Sequence, residues 1–230
     1  MIGLKRSSRR FPRADREGVV LQIDLYAEIT CPWCLIGQHR LDKVLTERFV
    51  DLSVDILHHP VVLQPDALPA GLYIPDLLRM RYGVTDPKAM FARPEAEARA
   101  SGLDLDLGRQ LWAYPTQAAH ALILAARERG TQHRLAVAIS KAYFLDAKNI
   151  ADVDVLTDIA TYCGFDQAEA RAIALDPAQH KRVAQEAACS AQAGVRSVPH
   201  FVFDGRIAIN GGRSEDEIAL SIREAMRNAA

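Results

Sequence analysis

The sequence lacks three features, and each absence excludes a class of protein. It contains no unbroken run of ~18 apolar residues, the length that a membrane helix needs, and this excludes a membrane span. It has no excess of charge, with 28 basic and 29 acidic residues, so neither a nucleic acid nor a membrane surface is indicated as a partner. Only four cysteines occur in 230 residues, too few for a disulfide-rich extracellular scaffold. The length suits one large domain, or one domain that carries an insertion.

The N-terminal residues 1–18 differ from the rest of the chain because they are basic and poor in apolar side chains. We expect this arm to be disordered. Within it, Ser8-Arg9-Arg10-Phe11 resembles a twin-arginine export signal, yet charged residues follow where such a signal needs an apolar segment. We therefore expect a cytoplasmic protein.

Two cysteines with two residues between them lie where a strand pattern gives way to a helix pattern. Residues 19–26 are short and β-prone, and the apolar residues after Cys34 recur at the spacing of one helix face. Pro32 has a preset φ and no N–H to lose, so it fits the first helical position and makes Cys31 the N-cap. The positive end of the helix then favours the Cys31 thiolate, which is the reactive form. Cys34, one turn further in, would attack a mixed disulfide formed at Cys31.

The same spacing has other uses, which the remaining residues make less favourable. A tetrahedral zinc site needs a second ligand pair, and Cys163 and Cys189 stand alone on helical patterns where we expect buried, inert thiols. The adjacent His58 and His59 would point to opposite faces of a strand. A structural disulfide within one turn would remove little unfolded-state entropy. We therefore favour redox chemistry, with no metal and no bound cofactor, because the dithiol itself stores the electrons.

The apolar patterns predict the order β-α-β, then a long helical segment, then β-β-α. Residues 52–58 alternate apolar and polar side chains and predict a second strand parallel to the first, as in βαβ units. From Pro75 onward, helical patterns follow one another for over a hundred residues. The dipeptide Asp204-Gly205 between two apolar runs predicts a hairpin with a two-residue turn. These patterns indicate an α/β fold with an inserted helical unit.

Several separated motifs give the chain a wider resemblance. From about Val20 to Ala225 it resembles the DsbA-like oxidoreductases with a helical insertion, and specifically their FrnE branch. The matching stretches occur in the same order as in that branch: Cys31–Gly37, Pro60–Asp66, Thr116–His120, Ala142–Phe144 with Asn149–Ile150, and Gly194–Phe203. The resemblance implies a thioredoxin fold, β-α-β…β-β-α, formed by residues 19–60 and 195–230. Residues 61–194 would then be a large all-helical insertion domain.

The resemblance also implies a substrate-binding loop. Val198-Pro199 is similar to the cis-proline loop that lies beside the C-x-x-C in thioredoxin-fold proteins. The backbone N–H and C=O of Val198 would pair with an extended substrate segment, a one-residue version of strand addition. We expect His120 to line the substrate cleft. We expect Trp33 to contact substrate. Strongly oxidising relatives have a histidine at this position, and because Trp33 is uncharged we expect a milder redox potential here.

Two residues would support the thiols rather than react. Pro32 starts the helix whose dipole favours the thiolate. Glu28 lies three residues before Cys31, where a shorter Asp is usual in the family. Its carboxylate would either accept the proton of Cys34 or oppose formation of the Cys31 thiolate.

The sequence thus predicts a cytoplasmic thiol:disulfide oxidoreductase that exchanges disulfides on protein or small-molecule thiols through its C-P-W-C dithiol. Glutathione is a candidate co-substrate, and the protein would be a monomer or a homodimer. One alternative is a glutathione-dependent isomerase or transferase of the 2-hydroxychromene-2-carboxylate isomerase or kappa-class type, although such relatives look to carry serine in place of Cys31. Another is a non-catalytic, ligand-binding or chaperone-like accessory protein.

Overall fold

A four-stranded mixed sheet lies at the centre of the computed structural model, which describes residues 20–227. Its strands, in chain order, are β1 (Leu21–Ala27), β2 (Val54–Pro60), β5 (His200–Phe203) and β6 (Ile207–Asn210). Their spatial order is β2-β1-β5-β6; β1 and β2 are parallel and the other pairs are antiparallel. The predicted parallel βαβ unit is confirmed. The predicted disordered arm lies outside the described residues.

Two helices pack on this sheet, namely α1 (Pro32–Arg48) and α9 (Glu215–Arg227). Leu41 and Val44 of α1, and Ile218 and Ile222 of α9, are fully buried with the apolar side chains of β1 and β5. Burying each such side chain contributes roughly 1.5–3 kcal/mol. This core holds α1 and α9 against β1 and β5.

A long segment between β2 and β5 is helical, as predicted. Its helices are α2 (Ile74–Tyr82), α3 (Pro87–Ala100), α4 (Gln117–Ala125), α5 (Gln132–Phe144), α6 (Val153–Tyr162), α7 (Gln167–Leu175) and α8 (Pro177–Gln192). The segment also contains two-residue strands, β3 (Leu72–Tyr73) and β4 (Trp112–Ala113), which pair antiparallel. We expected helices alone here, and a ladder this short leaves no periodicity in the sequence to reveal it. Within residues 20–227, no helix is both long and apolar enough to cross a bilayer.

The helical segment has its own core, and α1 connects the two cores. Leu35 and Ile36, in the first turns of α1, pack with buried residues of α4 and α5 such as Leu122 and Ile139. Further along, the apolar residues of α1 pack with the sheet instead. Trp33 contacts both cores. The N-terminus of α1 therefore lies where the two apolar units meet.

Two local predictions need correction. Phe203 lies opposite Ile207, so the hairpin connection is Asp204–Arg206, one residue longer than we expected. The turn at Asp204 and Gly205 is present, with φ values of 53° and 66°, but strand pairing resumes one residue later. Cys189 was expected to be buried and is exposed, because it faces solvent on α8.

Candidate active site

Cys31 is the N-cap of α1 and Pro32 is its first residue, as the sequence predicted. Cys31 has extended backbone, with φ −93° and ψ 116°, and its C=O accepts a hydrogen bond from the Cys34 N–H at 3.0 Å. The two sulfur atoms are not joined by a disulfide bond. Only 8% of Cys31 and 1% of Cys34 is exposed. The helix therefore presents Cys31 at its tip and shelters Cys34 one turn below.

The two thiols have opposite pKa shifts. A hydrogen bond from the Cys34 thiol, with others from the backbone N–H groups of Cys34 and Trp33, lowers the pKa of Cys31 despite its burial. Burial, the hydrogen bond to Cys31 and the negative charge on Cys31 raise the pKa of Cys34 well above its ordinary value. When the pair holds one proton, that proton resides on Cys34. Cys31 is then a thiolate, the form that attacks disulfides.

Glu28 lies beneath the dithiol with 1% of its surface exposed. Its carboxylate accepts hydrogen bonds from the N–H groups of Ile29 at 2.7 Å and Leu63 at 2.9 Å, and its backbone hydrogen-bonds the Cys34 sulfur. The negative charge of Glu28 raises the pKa of both thiols. One of the two effects foreseen from sequence is therefore present, since the carboxylate opposes ionisation of both thiols. Its part as proton acceptor for Cys34 stays a prediction.

Val198 and Pro199 lie beside the first turns of α1, and the peptide bond between them is cis. Val198 packs against the apolar cluster that contains both active-site cysteines. A Cβ atom on Gly37 would lie 2.9 Å from Pro199 Cγ, so the loop contacts the helix at a position that only glycine allows. Gly211 N–H donates to the Pro199 C=O at 2.8 Å and fixes the other side of the loop.

Trp33 is held from two directions that the sequence did not reveal. A Cβ atom on Gly212 would overlap its indole ring, so the ring lies flat against that backbone. Arg93 lies on α3, and its guanidinium is 5.5 Å from the centroid of the Trp33 ring, within cation–π range. Gly212 lies far from Trp33 in the sequence, and no pattern in the sequence links the two residues.

A cleft of about 390 Å³ opens beside Cys31, Pro32 and Trp33. Most of its lining comes from apolar side chains of the helical segment, including Leu77, Leu78, Met90, Phe91, Tyr143 and Phe144. Among the described residues that line it, Arg81 is the only basic one and none is acidic. The helical segment thus covers the reactive thiol with an apolar surface that carries one positive charge.

His120 does not line this cleft, which corrects our expectation. Only 4% of it is exposed, and its Nε2 lies 3.4 Å from Glu28 Oε1 on the inner side of the site. It lines a separate cavity of about 10 Å³ together with Gln38 and His58. The first turn of α4 directs the ring toward β1 rather than toward the opening.

His58 and His59, which the strand pattern disfavours as metal ligands, each have another partner. His58 Nε2 lies 2.8 Å from His133 Nδ1, and His59 Nε2 lies 2.7 Å from Asp24 Oδ1. In the part of the chain that the structure describes, no group of three or more His, Cys, Asp or Glu side chains is arranged to hold a metal ion.

The strand order, the parallel βαβ unit and the dithiol at the start of the first helix define a thioredoxin-fold protein. The chain belongs to the DsbA-like thioredoxin domain family, whose model matches residues 22–223.

Three similar proteins extend the comparison. YwbO of Bacillus subtilis (strain 168) is 22% identical over 91% of this chain and 99% of its own length. The crystal structure of probable DsbA oxidoreductase SCO1869 from Streptomyces coelicolor is 27% identical, with a TM-score of 0.77 over 90% of each chain. The cytosolic disulfide reductase DsbM from Pseudomonas aeruginosa, solved with GSH, is 17% identical, with a TM-score of 0.62 over 90% of this chain and 99% of its own. The last likeness concerns the fold alone.

Proposed function

We propose that the protein is a thiol:disulfide oxidoreductase in which Cys31 is the attacking nucleophile and Cys34 the resolving thiol. The observation that carries this proposal is the opposite pKa shift of two adjacent thiols at a helix N-terminus. A nucleophile must be ionised, and a resolving thiol must keep its proton until the mixed disulfide has formed. Membership of the DsbA-like family supports the same chemistry.

The exchange proceeds in two displacements. The Cys31 thiolate attacks one sulfur of the substrate disulfide, forms a mixed disulfide and expels the other sulfur as a thiolate. Cys34 then gives its proton to Glu28 and attacks the Cys31 sulfur, which releases the second substrate thiolate. Two electrons have passed from the dithiol to the substrate, and the Cys31–Cys34 bond has formed; the reverse sequence oxidises a substrate dithiol.

Substrate is held on both sides of Cys31 in this proposal. The backbone of Val198 pairs with an extended segment, and Trp33 contacts the group that enters the cleft. The half-buried Val198 beside the cysteine cluster and the fixed indole support these roles. Residues 61–194, as an insertion domain, would roof the cleft and select the disulfide that enters.

We further propose that the protein acts in the cytoplasm, belongs to the FrnE branch and uses glutathione as a co-substrate. The compartment and the co-substrate are supported by the likeness in fold to a cytosolic disulfide reductase solved with GSH. The basic Arg81 at the cleft suits the carboxylates of glutathione.

A glutathione-dependent isomerase is the second candidate, and the roofed cleft beside Cys31 favours it. Such a reaction needs one nucleophile, so loss of Cys34 would leave turnover intact. Thiol exchange needs both cysteines, and this difference separates the candidates.

The deciding experiment is a glutathione redox titration with thiol trapping on the wild type and on Cys31→Ser, Cys34→Ser and Cys189→Ser. We expect mixed disulfides to accumulate only in Cys34→Ser, because nothing resolves them. Cys189→Ser is the matched control, since its thiol is exposed and lies on α8. If Cys31→Ser and Cys34→Ser both reduce a test disulfide at the wild-type rate, the proposal is wrong.

A further inference from the structure

A small internal cavity beside Glu28 contains two polar atoms that need a partner. The cavity measures about 10 Å³ and is lined by residues on both sides of Glu28, by Gln38 of α1 and by His120 of α4. Gln38 and His120 are 2% and 4% exposed. Within residues 20–227, neither Gln38 Oε1 nor His120 Nε2 has a hydrogen-bond partner. A cavity of one water's size with two such atoms is a site for one bound water molecule.

The inner end of this cavity leads to the dithiol. His120 Nε2 lies 3.4 Å from Glu28 Oε1. Glu28 in turn contacts Cys34 through its backbone and faces it with its charge. Glu28 and Cys34 are each 1% exposed, so a proton moved from the thiol to the carboxylate has no direct contact with solvent.

The outer end leads to the surface through two histidines. His58 of β2 lines the cavity, and its Nε2 lies 2.8 Å from His133 Nδ1 on α5. His133 Nε2 lies 2.6 Å from Asp42 Oδ1, and the Asp42 side chain is 40% exposed. A carboxylate only accepts hydrogen bonds, so His133 Nε2 carries a hydrogen and its Nδ1 accepts from His58 Nε2–H. The N–H groups at His58 Nε2 and His133 Nε2 therefore both point toward Asp42 at the surface, and His58 Nδ1 is left as an acceptor.

The groups around the two histidines keep this order. Gln132 bonds both backbone polar groups of His58, at 3.0 Å and 3.2 Å, and fixes the strand against α5. Burial, with the neighbouring His133, His120 and His59, lowers the pKa of His58 well below its ordinary value, so its ring is neutral. Tyr143 also faces Glu28, and its pKa is raised by burial and by the Glu28 charge.

We propose that His120, one bound water, His58, His133 and Asp42 form a proton path between Glu28 and solvent. The path deepens the proposed oxidoreductase function and rests on it. When Cys34 attacks the mixed disulfide, its proton passes to Glu28. A proton then moves from Glu28 Oε1 to His120 Nε2, and from that nitrogen to the water. The water gives a proton to His58 Nδ1, the His58 Nε2 proton moves to His133 Nδ1, and the His133 Nε2 proton leaves through Asp42. One proton enters and one leaves; the electrons stay with the sulfurs.

The test separates proton transfer from structural support at His133. Reduced protein is mixed with a small disulfide, the reaction is quenched with acid, and the Cys31 mixed disulfide is followed by mass spectrometry. In His133→Ala we expect the decay of the mixed disulfide to slow by at least about tenfold. Imidazole in the buffer restores it, because it can occupy the space of the missing ring. The formation of the mixed disulfide and the equilibrium redox potential stay unchanged, because the path alters neither reactant nor product.

Two further variants make the result decisive. His133→Gln fills the site without relaying a proton, so it is slow and is not rescued by imidazole. His180→Gln is the matched control, because His180 of α8 also makes a hydrogen bond through Nε2, at 2.8 Å from the Ala174 carbonyl oxygen of α7. An unchanged decay in His133→Ala, or a slow decay that imidazole does not restore, overturns the path. Absence of any Cys31 mixed disulfide, even in Cys34→Ser, overturns the proposed function instead.

Discussion

At the scale of single residues, Cys31 and Cys34 are chemically identical side chains that their surroundings make different. Cys31 receives hydrogen bonds at the tip of α1, and Cys34 is buried behind it. The donors lower the pKa of Cys31, whereas burial raises that of Cys34. Position relative to one helix end thus favours the thiolate at Cys31 and the protonated thiol at Cys34.

Replacing Glu28 with Gln tests the carboxylate under this pair. The change removes a charge that raises the pKa of both thiols, so we expect the alkylation of Cys31 to extend to lower pH. It also removes the proposed proton acceptor of Cys34, so we expect the decay of the mixed disulfide to slow by ~10²-fold. Alkylation rates across pH and quenched mass spectrometry measure the two effects.

Glu95→Gln is the matched control for that variant, because Glu95 also accepts a backbone N–H, from Leu107 at 2.9 Å. We expect it to leave both measurements unchanged. If Glu28→Gln behaves like Glu95→Gln, the carboxylate has no part in the exchange.

Residue-level predictions succeeded where the cause is local. Cys31 as N-cap follows from Pro32, since proline fits the first helical position wherever the helix packs. The prediction for His120 was wrong, because its neighbour Glu28 is far away in sequence and only the tertiary fold brings the two residues together. The link between Gly212 and Trp33 was missed for the same reason.

At the scale of elements, α1 joins two cores and carries the dithiol at their junction. Its first turns pack with the helical segment and its later turns with the sheet. Any shift of this helix against the Val198-Pro199 loop would move Cys31 relative to the substrate.

Gly37→Ala tests this contact between helix and loop. The added Cβ would lie 2.9 Å from Pro199 Cγ and 3.1 Å from Phe201 Cζ, both in well-packed surroundings. Overpacking costs about 1–3 kcal/mol, more than the ~1 kcal/mol that alanine gains in a helix. We therefore expect a lower free energy of unfolding in urea. Gly108→Ala, which meets only the Asp106 side chain, is the control, and a Gly37→Ala protein as stable as wild type would contradict the packing described.

Element order was predictable because it depends on periodicity and chain punctuation. The βαβ unit, the helical segment and the hairpin all follow from such patterns. The β3–β4 ladder and the extra hairpin residue did not, since both depend on which strands pair rather than on local preference. The burial of Cys163 was foreseen, and the exposure of Cys189 was not.

At the scale of the whole molecule, the sheet unit supplies the thiols and the helical segment supplies the cover. The cleft is formed by both, with Cys31 on one wall and side chains of α2, α3 and α5 on the other. The two units also share a partly buried polar contact, because His58 of β2 hydrogen-bonds His133 of α5. Protonation at that contact therefore affects how firmly the units hold together.

The stability of the whole chain should depend on pH through His58. Its pKa in the folded protein is depressed, so below the unfolded value of about 6.5 the unfolded chain binds a proton that the folded chain does not. Stability is then fully present above about pH 6.5 and falls with decreasing pH, by up to about 1.4 kcal/mol per unit.

Urea unfolding between about pH 7.5 and 5.5 measures how the free energy of unfolding changes with pH. These limits lie roughly one pH unit on either side of the ordinary histidine pKa. His58→Gln, which cannot titrate, should be less stable at neutral pH and show a shallower slope. An equal slope in both proteins would show that His58 is not the buried neutral group described.

The most direct test of the central claim is the rate of Cys31 alkylation as a function of pH, with free cysteine in the same buffer as reference. In the wild type we expect a pKa below the ordinary value, because the Cys34 thiol and two backbone N–H groups stabilise the thiolate. Cys34→Ala removes the largest of these contributions and should raise the pKa, whereas Cys34→Ser keeps a hydroxyl donor and should raise it less. A wild-type Cys31 that titrates like free cysteine, with no change in Cys34→Ala, would contradict the account.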